Sequence, residues 1–253
     1  MRARFLCVLL GVVGCAPGYA QTGSVAADAR PAPSAPSTPA PVQQNLQDRP
    51  GVAVLPFTNG GSFGSKKEDL APLEVGIQQM LLTELQQNTA LRIVERSTLK
   101  EMLAEQDLGA SGRVDPQTAA RIGKLVGARY VISGVFMDLN GNFRMDGRII
   151  NTETGEIVRA VDVRAMRDQS YDLLVQLAGK ITAGVNLPPL PANVQNARKA
   201  RDIPEEAARL YSIALTLQDD GETQEAINLY RRISQEFPQM TEAREALKQL
   251  SPA

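Results

Sequence analysis

The 253-residue chain has no histidine and no tryptophan, and its two cysteines, Cys7 and Cys15, both fall within the first fifteen positions. Without histidine the commonest general base and metal ligand is missing. With both thiols at the amino terminus, the rest of the chain has no thiol chemistry and no internal disulfide. Ser-His-Asp, Cys-His and zinc sites are thereby excluded. No catalytic residue, metal ligand or cofactor-binding residue is assigned, and no cofactor is expected. Carboxylate or lysine chemistry stays open, but no motif points to it, so the expectation is a protein that is not an enzyme. Charge of one sign is also lacking: 27 Lys and Arg face 28 Asp and Glu, for a net −1. Binding phosphate backbones needs a basic patch, so nucleic acid is not an expected partner. The length allows one medium domain plus a small one around a sizeable core.

The amino terminus reads as an export signal over residues 1–20. Arg2 and Arg4 precede an apolar run at 5–13. That run is short of the ~20 apolar residues a permanent membrane helix needs. Two cleavage patterns compete. Val12-Val13-Gly14-Cys15 is of the lipobox kind, with the signal ending at residue 14 and Cys15 the lipid attachment site of an outer-membrane lipoprotein. Residues 16–20 instead offer small residues before Gln21, as an ordinary signal peptidase requires, and would release a soluble periplasmic protein. Residues 21–50 carry Pro31, Pro33, Pro36, Pro39, Pro41 and Pro50 among Ala, Ser, Thr and Gln. Such a segment buries too little apolar surface to offset its ordering entropy and is expected to be a disordered tether.

The run at 51–57, Gly-Val-Ala-Val-Leu-Pro-Phe, has the length and composition of a strand buried on both faces. The loop at 58–69 is rich in glycine, but Gly64-Ser65-Lys66-Lys67 fails the spacing of a Walker loop and reads as an ordinary loop. Residues 70–87 form an amphipathic helix with Leu73, Ile77, Met80, Leu81 and Leu85 on one stripe and Glu74, Gln78, Gln79, Glu84 and Gln86 largely opposite. A strand at 91–95 leads to Glu95-Arg96, read as an ion pair at the junction, and to a helix at 98–106 capped by Ser97. Asp115-Pro116 opens the helix at 117–125 in cap-then-proline order, and Gly127 ends it. Strands follow at 129–139, 143–151 and 157–166, the first two joined by the hairpin signal Asn140-Gly141. A helix at 168–183 closes a two-layer α/β sandwich over residues 51–185.

The order strand, Glu95-Arg96, helix, turn, helix, Gly127-Ala128, strand resembles the periplasmic domain of the CsgG/HfaB family of curli-secretion lipoproteins. The same order looks like the amino-terminal domain of TolB and the activator lipoprotein LpoB. Further blocks are Val52-Ala53-Val54, Gly134 and the stretch 151–157, Asn-Thr-Glu-Thr-Gly-Glu-Ile. The resemblance implies a non-enzymatic envelope protein acting in assembly or secretion of a surface structure through protein–protein contacts. It also implies a homo-oligomer among the partners, since relatives form rings, and it tips the amino terminus toward the lipid anchor. The family's pore is built by two long inserted hairpins, whose membrane strands need ~9–11 residues each. Here the corresponding connections are Asn140-Gly141-Asn142 and Arg167-Asp168, so the resemblance is to the periplasmic core without the pore. The alternative it leaves is an LpoB-like tethered activator of a peptidoglycan synthase.

Residues 186–197 read as a stiff proline-rich linker, and residues 198–253 as a small α-helical domain. Leu210, Ile213, Ala214, Leu217, Gly221, Ala226, Tyr230 and Pro238 fall at tetratricopeptide-repeat spacing, with a further helix at 241–250. One repeat with a cap is below the ~3 needed for independent stability, so it must pack on the central domain or on another copy. In this register Ala208, Tyr211, Leu215 and Gln218 form the expected partner groove.

Overall fold

A computed structural model of the chain describes residues 49–62, 70–105, 114–187, 190 and 192–250. Cys15, the export signal and residues 63–69 of the glycine-rich loop lie outside the described residues, as does the tether up to residue 48. The fold is mixed α/β, as the periodicities imply. Strands β1 (Gly51–Val54), β2 (Thr58–Asn59), β3 (Arg92–Ile93), β4 (Tyr130–Leu139), β5 (Asn142–Asn151) and β6 (Ile157–Met166) make one six-stranded sheet. Its order is β3-β1-β4-β5-β6, with β2 also beside β4. The β1–β3 and β1–β4 pairs are parallel, while β4–β5 and β5–β6 are antiparallel.

The expected strand at 51–57 is broken. Pro56 has no N–H to give to a ladder, so β1 stops at Val54 and β2 resumes alongside β4. Val54 pairs with Ile132 but Thr58 with Val135, so the chain spends one extra residue at the break. The detour places the buried Phe57 ring over Gly134, where a Cβ would lie 2.2 Å from Phe57 Cε1. The hairpin signal is realised: Asn140 and Gly141 take φ of 56° and 89°, the left-handed pair that a tight β-hairpin requires.

Helices α1 (Leu73–Gln86) and α4 (Ser170–Gly184) pack on one face of the sheet, against Val54, Ile132, Phe136 and Ile149. On the other face, α2 (Arg96–Glu105) and α3 (Pro116–Leu125) cover Ala53, Leu55, Val131 and Ile150. Asp115 caps α3, its side chain accepting from Gln117 N at 2.9 Å and Thr118 N at 3.1 Å. Ser97 does not cap α2, because the helix already begins at Arg96 and includes it.

Beyond Val185, the stretch read as linker contains a helix, α5 (Ala192–Lys199), followed by α6 (Glu205–Asp219), α7 (Thr223–Glu236) and α8 (Thr241–Leu250). Gly221, at φ 84°, makes the α6–α7 turn. Of these, α6, α7 and α8 share one apolar cluster with α1 and α4, through Ala207, Leu210, Tyr211, Ala214, Tyr230 and Ala243. Gly76 of α1 lies directly against Ser212 of α6, where a Cβ on Gly76 would sit 1.7 Å from Ser212 Oγ.

Because α1 is covered by the sheet on one side and by α6 on the other, two residues of its polar stripe are buried. Gln78 Nε2 donates to Val54 O at 2.7 Å, satisfying the carbonyl where β1 ends. Glu84 binds the Arg198 guanidinium and accepts from Tyr171 Oη. Among the described residues no helix is long and apolar enough to cross a membrane.

Candidate partner-binding cleft

Helices α1, α6 and α8 and the β3–α2 junction meet around a polar cleft of about 510 Å³. From α1 come Gln79, Thr83 and Gln86, and from α6 come Tyr211, Leu215 and Gln218. The junction adds Glu95 and Arg96, and α8 adds Glu242, Glu245 and Gln249.

Three of the four residues expected to form a partner groove therefore line this cleft. Ala208 does not: it is buried where α6 crosses α1, its carbonyl accepting from Ser212 Oγ at 2.7 Å. Tyr211 and Leu215 are also nearly covered, with only an edge at the cleft, because α1 occupies most of the inner side of the helical hairpin. Gln218 is half-buried and held by Tyr230 Oη, which donates to its Oε1 at 2.9 Å. The Tyr211 and Tyr230 rings lie 5.9 Å apart, and burial pushes both phenols well above their ordinary pKa, so both stay neutral hydrogen-bonding groups.

The expected Glu95–Arg96 ion pair is replaced by a longer-range one. Arg96 Nη1 lies 2.5 Å from Asp219 Oδ2 at the end of α6, and its Nε donates to Gln79 Oε1 at 3.2 Å. Lys100 Nζ donates to the Asp219 carbonyl at 2.8 Å, a cation on the negative end of α6. These contacts fix α2 to α6 and leave the Arg96 charge already countered inside the cleft.

Glu242 is the carboxylate that sequence reasoning missed. It lines the cleft at 6 % exposure, and its Oε2 accepts from Arg201 Nη2 at 2.6 Å. Its Oε1 is buried without a hydrogen-bond partner. A carboxylate oxygen buried without a donor carries a desolvation cost that the Arg201 contact only partly offsets. Burial is the largest single influence on Arg201 and works against its charge, but the hydrogen bond and charge of Glu242, with Tyr171 and Glu84, together outweigh it and hold the guanidinium pKa above its ordinary value. With Glu95 and Glu245 on the rim and Arg96 spent on Asp219, the cleft is acidic and rich in amides. No signal in the helical periodicity marked Glu242, since it sits one residue into the last helix like many first-turn acids. Among the described residues no group of three or more acidic side chains is arranged to hold a metal.

Residues 38–148 match the family described as Curli production assembly/transport component CsgG. The resemblance drawn from Val52-Ala53-Val54, Glu95-Arg96 and Gly134 is thus borne out over that stretch, while the block at 151–157 lies beyond it. No curated protein matches the chain. Among solved structures, the LpoB C-terminal domain from Salmonella enterica aligns at 18 % identity and TM-score 0.36, covering 46 % of this chain and 82 % of its own. TolB from Acinetobacter baumannii aligns at 12 % identity and TM-score 0.34, covering 55 % of this chain and 27 % of TolB. The PelC dodecamer from Paraburkholderia phytofirmans aligns at 16 % identity and TM-score 0.33, covering 55 % and 89 %.

Proposed function

From the match of residues 38–148 to the CsgG family, we propose that this chain is a non-enzymatic cell-envelope protein that assists assembly or secretion of a surface structure. The family match is the observation that carries the reading. The protein works through protein–protein contacts from the periplasmic side of the outer membrane, with Cys15 as its lipid anchor. The helical tail holds its partner in the cleft beside Gln218 and Glu242. The occupant is an extended, basic segment of a partner protein. Support for that chemistry comes from the exposed carboxylates Glu95 and Glu245 that line the cleft. The glutamine amides of α1, α6 and α8 suit peptide backbone groups.

The test is photo-crosslinking in intact envelopes, with a light-activated residue in place of the exposed Gln86 or Glu245 and mass spectrometry of the adducts. Components of a surface-fibre export system in the adducts support the reading. A peptidoglycan synthase as the dominant adduct replaces it with an LpoB-like tethered activator. Adducts to no protein at either position overturn the cleft as the contact surface.

A further inference from the structure

Strand β6 is the last of the sheet, with no strand on its outer side among the described residues. The phase of its hydrogen bonds can be read from one end. Arg167 N donates to Gly141 O at 2.8 Å. Stepping along the register by twos, Phe143–Ala165, Met145–Val163 and Gly147–Val161 are the bonded pairs between β5 and β6. Ala160, Asp162, Arg164 and Met166 therefore turn their N–H and C=O groups outward. Asp162 O confirms the phase, since it accepts from Lys180 Nζ at 2.5 Å on the outer side.

The side chains of Asp162 and Arg164 lie on the sheet face away from α4, because Val163 between them is buried in the core on the α4 side. On that face like charges stand directly opposite each other: Asp146 against Asp162 and Arg144 against Arg164. These are the non-hydrogen-bonded pairs, where opposed side chains come closest and like charges destabilise. The closest countercharges lie along each strand, Arg144 with Asp146 at 2.6 Å and Arg164 with Asp162 at 3.4 Å, with a weaker diagonal attraction between Arg144 and Asp162.

We propose that β6 is a homodimer edge, pairing antiparallel with β6 of a second copy about a two-fold axis at Val163. In this register Asp162 faces Arg164 of the second copy and Arg164 faces its Asp162. Each row of like charge then gains a countercharge at its end. The outward-bonding residues meet outward-bonding residues, so the ladder forms, and Ala160 covers the exposed Met166 of the second copy. Sliding the strands by two residues sets Asp162 against Asp162 or Arg164 against Arg164. Sliding them by one opposes outward residues to inward-bonded ones, and the ladder fails. Pairing exchanges the Lys180 bond on Asp162 O for the N–H of Arg164 from the second strand.

Sedimentation equilibrium of the purified full-length protein tests this. The wild type is expected to form a dimer. Asp162→Arg and Arg164→Asp, each setting like charges across the axis, weaken association on the order of tenfold or more. The variant carrying both changes restores opposite charges in every pair and recovers the wild-type association. Both positions are exposed, so matched circular dichroism and thermal midpoints show that the variants fold. A wild type that stays monomeric, single variants that associate like the wild type, or a double variant that is not rescued would each overturn the proposal.

Discussion

Tyr171 Oη donates to Glu84 Oε1 at 2.7 Å, joining α4 to α1 inside the core. Around this bond, Arg198 of α5 binds the same carboxylate and donates to the Glu84 carbonyl at 3.1 Å. Arg201 stacks over the Tyr171 ring at 5.4 Å while holding Glu242 of α8. One buried polar network thus ties α1, α4, α5 and α8 together. Such networks are costly to break on one side, because the remaining charge keeps its burial and loses its partner.

Glu84→Ala is therefore expected to lower unfolding stability by ~3–5 kcal/mol, since the Arg198 side chain, 8 % exposed, is left without its carboxylate. Urea unfolding followed by far-ultraviolet circular dichroism measures this. A loss below about 1 kcal/mol would remove the network from the account of stability.

Burial, aided by the Glu242 and Glu84 charges, pushes the Tyr171 phenol far above its ordinary value of 10.0. The folded state keeps the proton that the unfolded chain gives up, so stability falls as pH rises above about 10. Tyr171→Phe should show a shallower alkaline decline than the wild type in thermal midpoints between neutral and strongly alkaline pH.

Gly76→Ala tests the seam between α1 and α6. Alanine improves helix propensity by ~1 kcal/mol over glycine, but the new Cβ collides with Ser212 Oγ, and overpacking costs ~1–3 kcal/mol. A net loss of stability is expected, recovered when Ser212→Gly is added. Failure of that second change to recover stability would show that the helices do not meet at this point.

Asp115 carries the acid-side prediction. Its hydrogen bonds with Thr118 hold its carboxyl below the ordinary 3.8. The stability it adds is present above that value and is lost as pH falls through the lower, folded-state value. The gap in urea midpoint between wild type and Asp115→Ala should therefore be open at pH 7 and close at strongly acidic pH. A gap independent of pH would mean the carboxylate is not the capping group.

Glu245→Lys reverses a charge on the cleft rim without touching the core. Stability should change by no more than about 0.5 kcal/mol. Fluorescence anisotropy with a labelled lysine-rich peptide should show weaker binding than the wild type, with the difference shrinking as salt rises. Equal affinity in both proteins would contradict the acidic-cleft reading.

The sheet was legible in the sequence because its signals are local. Asn140-Gly141 fixed the β4–β5 register, and the strands expected at 143–151 and 157–166 between turn signals match β5 and β6 to within a residue. Asp115-Pro116 likewise announced α3 from neighbouring positions alone. The cleft was only partly legible. Repeat spacing put Tyr211, Leu215 and Gln218 on one face of α6, but what faces them is set by α1, far earlier in the chain. The burial of Gln78 and Glu84 was hidden for the same reason: a helix covered on two sides has no polar face left, and a single-helix pattern cannot show its second cover. Arg96 illustrates the point, since its partner Asp219 lies 123 residues away.

The seating of Glu84 on Arg198 also carries a consequence for biogenesis. The two residues are 114 positions apart. At ribosomal rates of ~5–20 residues per second, α1 waits on the order of ten seconds for the side chain that neutralises it. During that interval a helix with an acidic group on its inner side and an uncovered apolar stripe exists without its lid. A chain truncated before Arg198 would therefore bury the Glu84 carboxylate without its guanidinium, and is expected to unfold at lower urea than the full chain.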